Sequence, residues 1–114
     1  MKLRIVMSKS NNLIIVITTT DQKQIADKIT QELLQQKLAA CIQIEQVISH
    51  YIWQNKKEET LEYRLQIKSL STKYKDIEAY IRRYHNYDLP EIIAYEVTHC
   101  REEYAQYIAE NIKA

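Results

Sequence analysis

The chain reads as an α+β protein of the ferredoxin-like, split βαβ type, with element order β-α-β-β-α-β and an added C-terminal helix. Three observations predict this. The stretch from Leu38 to Ser69 reads as two long alternating strands joined at Gln54-Asn55-Lys56. Helical apolar stripes flank that hairpin on both sides, and a short β-branched run opens and another closes the set. At 114 residues the length suits one domain with its own core.

Each element has a local reason. Leu13 to Thr18 is β-branched, is bounded by polar residues and suits a buried strand. Thr20-Asp21, with Gln24 three residues past Asp21, reads as a capping box for a helix from Gln22 to Lys37, whose stripe is Ile25, Ile29 and Leu33. In the returning arm of the hairpin, Leu61, Tyr63, Leu65 and Ile67 alternate with Glu62, Arg64, Gln66 and Lys68. One face therefore meets a core and the other meets water or a neighbour. Ser71-Thr72 is the expected cap of a second helix carrying Tyr74, Ile77, Tyr80, Ile81 and Tyr84. Leu89-Pro90 cannot continue that helix, and Glu91 to Val97 is the expected fourth strand. Thr98 to Lys113 is the expected terminal helix, with Tyr104, Tyr107, Ile108 and Ile112 inward. The chain contains no Gly, so turns that need positive φ must use residues such as Asn; Asn55 and Asn86 stand where such turns are expected.

The hairpin sets a problem of coverage. At ~3.3 Å per residue the run from Cys41 to Trp53 extends roughly 40 Å, whereas the helix before it spans about 24 Å at ~1.5 Å per residue. Tyr51, Ile52 and Trp53 sit at the far end. Another copy of the same chain is the simplest cover. Nine Tyr and no Phe also fit half-wet subunit surfaces.

Composition narrows the function. A net charge of +1 gives no strong pull toward nucleic acid or an anionic membrane. No apolar run approaches the ~20 residues that span a bilayer, and the opening residues lack a continuous signal-peptide core. The expectation is a cytoplasmic protein with a flexible tail over residues 1–11 and a single domain over 12–114. Two cysteines, Cys41 and Cys100, are too few for a disulfide framework and are expected as free thiols. No Ser-His-Asp set, Cys-His-Asn set or HExxH motif is present, and His85 with Glu91 is a weak acid-base pair, so no catalysis is expected. A nucleotide is disfavoured by the missing Gly-rich loop, and an RNA-recognition module by the missing basic-aromatic signature on the third strand.

Four segments in order carry a resemblance: Lys37-Leu38-Ala39-Ala40-Cys41-Ile42, Tyr51-Ile52-Trp53 followed by Lys56, Ile67-Lys68-Ser69, and His85-Asn86-Tyr87-Asp88-Leu89-Pro90-Glu91-Ile92. Together they resemble the CutA divalent-cation tolerance family, from about Ile14 to Ile112. The resemblance implies a ferredoxin-like domain assembled as a homotrimer whose long hairpins reach neighbouring subunits. It also implies tolerance to copper and other divalent metals, with copper or zinc as a possible bound ion and no required cofactor. The chain departs from the family pattern at Ile17, where some bacterial members carry a Cys, and at Tyr84-His85, where they carry two His. Asn86, Asn55 and Cys100 replace a Pro and two Gly.

The candidate residues follow. His85 is the imidazole carried over for metal; its plainer reading is a polar contact beyond a helix end. Cys41 is the second metal candidate, and its apolar context also reads as packing. The family pattern places Lys56, Glu62 and Lys68 near clefts between subunits, with Tyr87, Asp88 and Glu91 from the loop before the last strand. On their own chemistry the hairpin charges read as solvated or intersubunit ion pairs. Trp53 reads as a packing anchor at the subunit junction, and His50 as a polar interface contact. The alternative function is a trimeric signalling or scaffold protein resembling the nitrogen-regulatory PII proteins, with a small ligand in intersubunit clefts. The expected partners are a sister chain and a metal ion or small ligand, with no nucleic acid and no membrane.

Overall fold

The computed structural model describes residues 12–114, so the expected tail lies outside the described residues. Strand β1 (Leu13–Thr20) is followed by helix α1 (Lys23–Gln35), strands β2 (Cys41–Trp53) and β3 (Lys56–Leu70), and helix α2 (Tyr74–Tyr84) after a 3-10 turn. Strand β4 (Ile93–Glu96) and helix α3 (Glu102–Glu110) complete the chain. The sheet is antiparallel with order β2-β3-β1-β4, which is the split βαβ arrangement the sequence predicts.

Registers explain which side chains reach the core. Val16 pairs with Ile67 and Thr18 with Leu65, so these alternate residues share the face covered by α1 and α2. Val16, Leu33, Leu65, Ile67, Ile77 and Ile81 are fully buried there, each burial contributing about 1.5–3 kcal/mol. On the opposite face, Ala105, Ile108 and Ile112 pack against Leu13 and Leu70, so α3 and the residues after it cover only one end. Beyond the helices the hairpin continues alone. The described residues measure 53 × 26 × 21 Å with a radius of gyration of 15.1 Å, against about 13 Å for a globular chain of this length.

Without Gly, the chain bends through strained backbone. Gln54 (φ 51°) and Asn55 (φ 66°) are both left-handed, as a two-residue type I′ hairpin turn requires. Lys37 (φ 56°) takes the position after α1 where Gly is usual. The amide of Leu38 bonds the Leu33 carbonyl and that of Lys37 the Leu34 carbonyl, which closes the helix end. Asn86 is not among the residues with positive φ; it is used through its side chain instead.

Several boundaries differ from expectation for identifiable reasons. The Thr20-Asp21 pair does not cap α1, whose N-cap is Gln22 with no side-chain bond. Thr20 Oγ1 accepts from the Gln22 amide at 3.2 Å and donates to Asn86 Oδ1 at 2.6 Å, while Asn86 Nδ2 donates to Asp21 Oδ1 at 2.9 Å. Pairing with β3 as far as Tyr63 extends β1 to Thr20. The last strand is shorter because it pairs only with β1. The last helix starts later, at Glu102, and Tyr104 and Tyr107 lie on its exposed side. Ala105, three residues before Ile108, takes the inward place.

Candidate functional site

The loop of residues 85–92 leaves α2 and lies against the sheet face that α1 and α2 do not cover, beside the outer half of the hairpin. Its anchor is His85. The Tyr87 amide donates to His85 Nδ1 at 3.0 Å, which leaves the ring hydrogen on Nε2 to donate to the Thr19 carbonyl at 2.8 Å. Burial lowers the His85 pKa, opposed by the Thr19 contact and by Glu62 and Asp21, so the neutral ring suits its place. In this arrangement neither ring nitrogen has a lone pair free for a metal.

Tyr87 packs on the His85 ring, centroids 4.9 Å apart, and reaches Glu62. Its hydroxyl donates to Glu62 Oε2 at 2.6 Å, and Ser49 Oγ donates to Oε1 at 2.6 Å. These are the short contacts of hydroxyls on a carboxylate. Burial pushes the Tyr87 phenol well above its ordinary range, and the bond to Glu62 adds to this, so Tyr87 stays a donor. Glu62 is only 5% exposed. The expectation that it is a solvated or ion-paired hairpin charge is therefore corrected: the loop covers it, and two hydroxyls replace water.

Above this buried carboxylate opens a cleft of about 710 Å³. Ser49, Glu62 and Tyr87 line its floor, and Tyr51, Trp53, Asp88 and Glu91 are among its other lining residues. Trp53 and Tyr51 keep 44% and 40% of their surface exposed. Glu91 accepts a long 3.4 Å contact from Thr19 Oγ1. Three of the lining residues are carboxylates and none is Lys or Arg, so the cleft attracts cations. Among the described residues no group of three or more His, Cys, Asp or Glu is close enough to hold a metal ion; the three carboxylates do not converge on one point.

Of the sequence candidates, the fold thus brings together Trp53, Glu62, Tyr87, Asp88 and Glu91. It leaves out Lys56, which is exposed at the hairpin turn opposite Trp53. Lys68 lies six residues along β3 from Glu62, about 20 Å at strand spacing, where its ammonium donates to Tyr104 Oη at 3.1 Å. That bond raises its pKa, with burial opposing. Cys41 pairs with Lys68 across the strands and is half-buried, four residues or about 13 Å along β3 from the Arg64 that faces Thr19. Cys41 and His85 therefore belong to separate places. His50, exposed on β2 and 4.0 Å from Glu59, does line the cleft. Ser49, Thr19 and Asn86 were not legible as site residues; the one available signal was that Ser49 falls near Glu62 once the hairpin register is fixed.

Comparison with known proteins agrees with this architecture. Residues 14–111 match the family model described as CutA1 divalent ion tolerance protein. The chain is 31% identical to the divalent-cation tolerance protein CutA of Pyrococcus horikoshii over 101 residues, covering 89% of this chain and 99% of that one. The crystal structure of CutA1 from the psychrotrophic bacterium Shewanella sp. SIB1 superposes with a TM-score of 0.87 at 34% identity, over 92% of this chain and 99% of that one. The protein described as the periplasmic divalent cation tolerance protein CutA of Archaeoglobus fulgidus superposes with a TM-score of 0.86 at 27% identity, over 89% and 99% of the two chains.

Proposed function

The chain belongs to the CutA1 divalent ion tolerance family, and from that premise we propose that it serves the response to divalent metal ions as a homotrimeric cation-binding protein. The cation, copper or zinc, is cargo rather than a resident cofactor, and the acidic cleft beside the hairpin end is its site. One observation carries this reading: the cleft holds Glu62, Asp88 and Glu91 with no Lys or Arg among its lining residues. Oxygen donors favour hard ions, copper and zinc prefer imidazole or thiolate, and His50 is the one imidazole in the lining. The His85 nitrogens are engaged, and Cys41 lies elsewhere on the sheet. A single chain therefore binds these ions weakly, and tighter binding needs donors from a sister copy. His85 serves by holding the loop.

The assembly is proposed on the hairpin. Ile48, Ile52 and Leu61 are 61%, 67% and 53% exposed in the single chain, more apolar surface at one end than a soluble subunit keeps bare. A reducing compartment such as the cytoplasm suits the free thiols of Cys41 and Cys100. Among the described residues no helix is long and apolar enough to cross a membrane. Catalysis forms no part of the proposal.

The test is calorimetric titration of Cu(II) and Zn(II) into the wild-type protein and an Asp88→Asn/Glu91→Gln variant. Binding weakened in the variant is the expected result; identical isotherms would remove the cleft from metal binding. The size of the cleft favours a second reading, a PII-like trimeric scaffold for a small ligand, because about 710 Å³ falls in the range of small-molecule sites. The same lining argues against a nucleotide, whose phosphates would meet three carboxylates and no Lys or Arg.

A further inference from the structure

We propose that the cleft recognises an organic ammonium ion, of which a linear polyamine is the simplest form. The proposal rests on the preceding reading that this cleft is the cation site of the assembled protein, and it names a ligand class that the metal reading does not require.

Two independent features point to it. The first is shape. A bare metal ion leaves most of 710 Å³ to water, and no convergent donor group exists among the described residues to hold one tightly. A flexible ligand of several carbons fills such a volume. The second is the chemistry of the walls. Trp53 and Tyr51 border the cleft as half-exposed rings, the surfaces on which ammonium groups and methylene stems both pack favourably. Asp88 and Glu91 add carboxylates that accept ammonium hydrogen bonds. The Glu62 carboxylate, held from below by Tyr87 and Ser49, adds a fixed negative charge to the floor without needing to move. Aromatic rings beside carboxylates, with no competing Lys or Arg among the lining residues, form a cation site with apolar walls. An anionic ligand would meet Asp88 and Glu91 as like charges with no Lys or Arg in the lining to offset them.

Trp53 is the only Trp in the chain, so its emission reports directly on this wall. Spermidine is titrated into the assembled protein while Trp53 fluorescence and heat are followed, with 1,8-octanediol as the uncharged probe of similar length and Zn(II) in a parallel arm. The expected result is a saturable change with spermidine, none with the diol, and affinity lower by about tenfold or more in the Asp88→Asn/Glu91→Gln variant, as loss of charged hydrogen bonds implies. A Trp53→Leu variant followed by heat alone should also bind spermidine more weakly. Spermidine binding that is equal in wild type and double variant overturns the proposal, because the ligand then sits elsewhere. Zn(II) binding lost in the double variant, with no spermidine binding to wild type, overturns the proposal and leaves the metal reading standing. Failure of both probes removes both.

Discussion

The two halves of the hairpin carry the same alternation and meet different fates. Near α1 and α2, Leu65 and Ile67 are completely buried; toward the turn, Leu61 and Ile48 on the same face are 53% and 61% exposed. Nothing in the local pattern separates them. The difference comes from length: α1 has 13 residues and so spans about 20 Å, while the 13 residues of β2 run about 43 Å. Alternation decides which face a side chain takes, and helix length decides whether this chain covers it.

The contrast is broken most directly by substitution in each half. Leu65→Ala should cost about 2–5 kcal/mol of subunit stability as a cavity in a packed core, read by urea denaturation. Ile48→Asp should leave the unfolding of dilute, dissociated subunits nearly unchanged and instead weaken association, read by sedimentation at several concentrations. Equal losses of subunit stability in the two variants would mean that one chain covers both halves after all.

The next effect sharpens the site. Glu62→Ala leaves the Tyr87 and Ser49 hydroxyls without their acceptor and should cost roughly 1–3 kcal/mol, the usual penalty for stranding buried polar groups. Tyr87→Phe should cost less, since Ser49 still donates to the carboxylate. Thermal unfolding of the two variants checks the order, and a neutral Glu62→Ala would show that the loop does not bury the carboxylate in solution. A smaller gain is expected from Lys37→Gly, up to about 1 kcal/mol, because Lys37 holds a left-handed φ that suits Gly. A loss of stability there would contradict the strain assigned to this turn.

Much of this was legible in the sequence. The element order, the hairpin and its turn, the stripes of α1 and α2 and the exposed aromatic end all follow from spacing. What was not legible depends on contacts distant in the chain. Glu62 reads as a surface charge because its neighbours on β3 alternate with apolar residues; its burial requires the 85–92 loop to reach across from beyond α2. Asn86 reads as a turn former, yet its amide ties Thr20 to Asp21. Tyr104 and Tyr107 read as core residues, yet small Ala105 takes the inward position. Lys68 and Glu62 sit close in sequence and far apart along a straight strand, a separation that grouping by composition overlooks.

The smallest expected effect concerns pH. His85 is held neutral by burial and its pKa is lowered, so below the ordinary value near 6.5 the unfolded chain binds a proton that the folded chain refuses. Stability from this residue is present above that value and falls as pH drops from it toward the lowered one. Melting temperatures between pH 7.5 and pH 5 should therefore decline more steeply in wild type than in His85→Gln; parallel declines would mean that His85 is already exposed in solution.

The central claim is that this ribbon outreaches its own helices and is finished by sister chains. Sedimentation equilibrium of the wild-type protein at micromolar concentration tests it most directly. A species of three chains is the result expected here. A stable single chain across the whole range would contradict it.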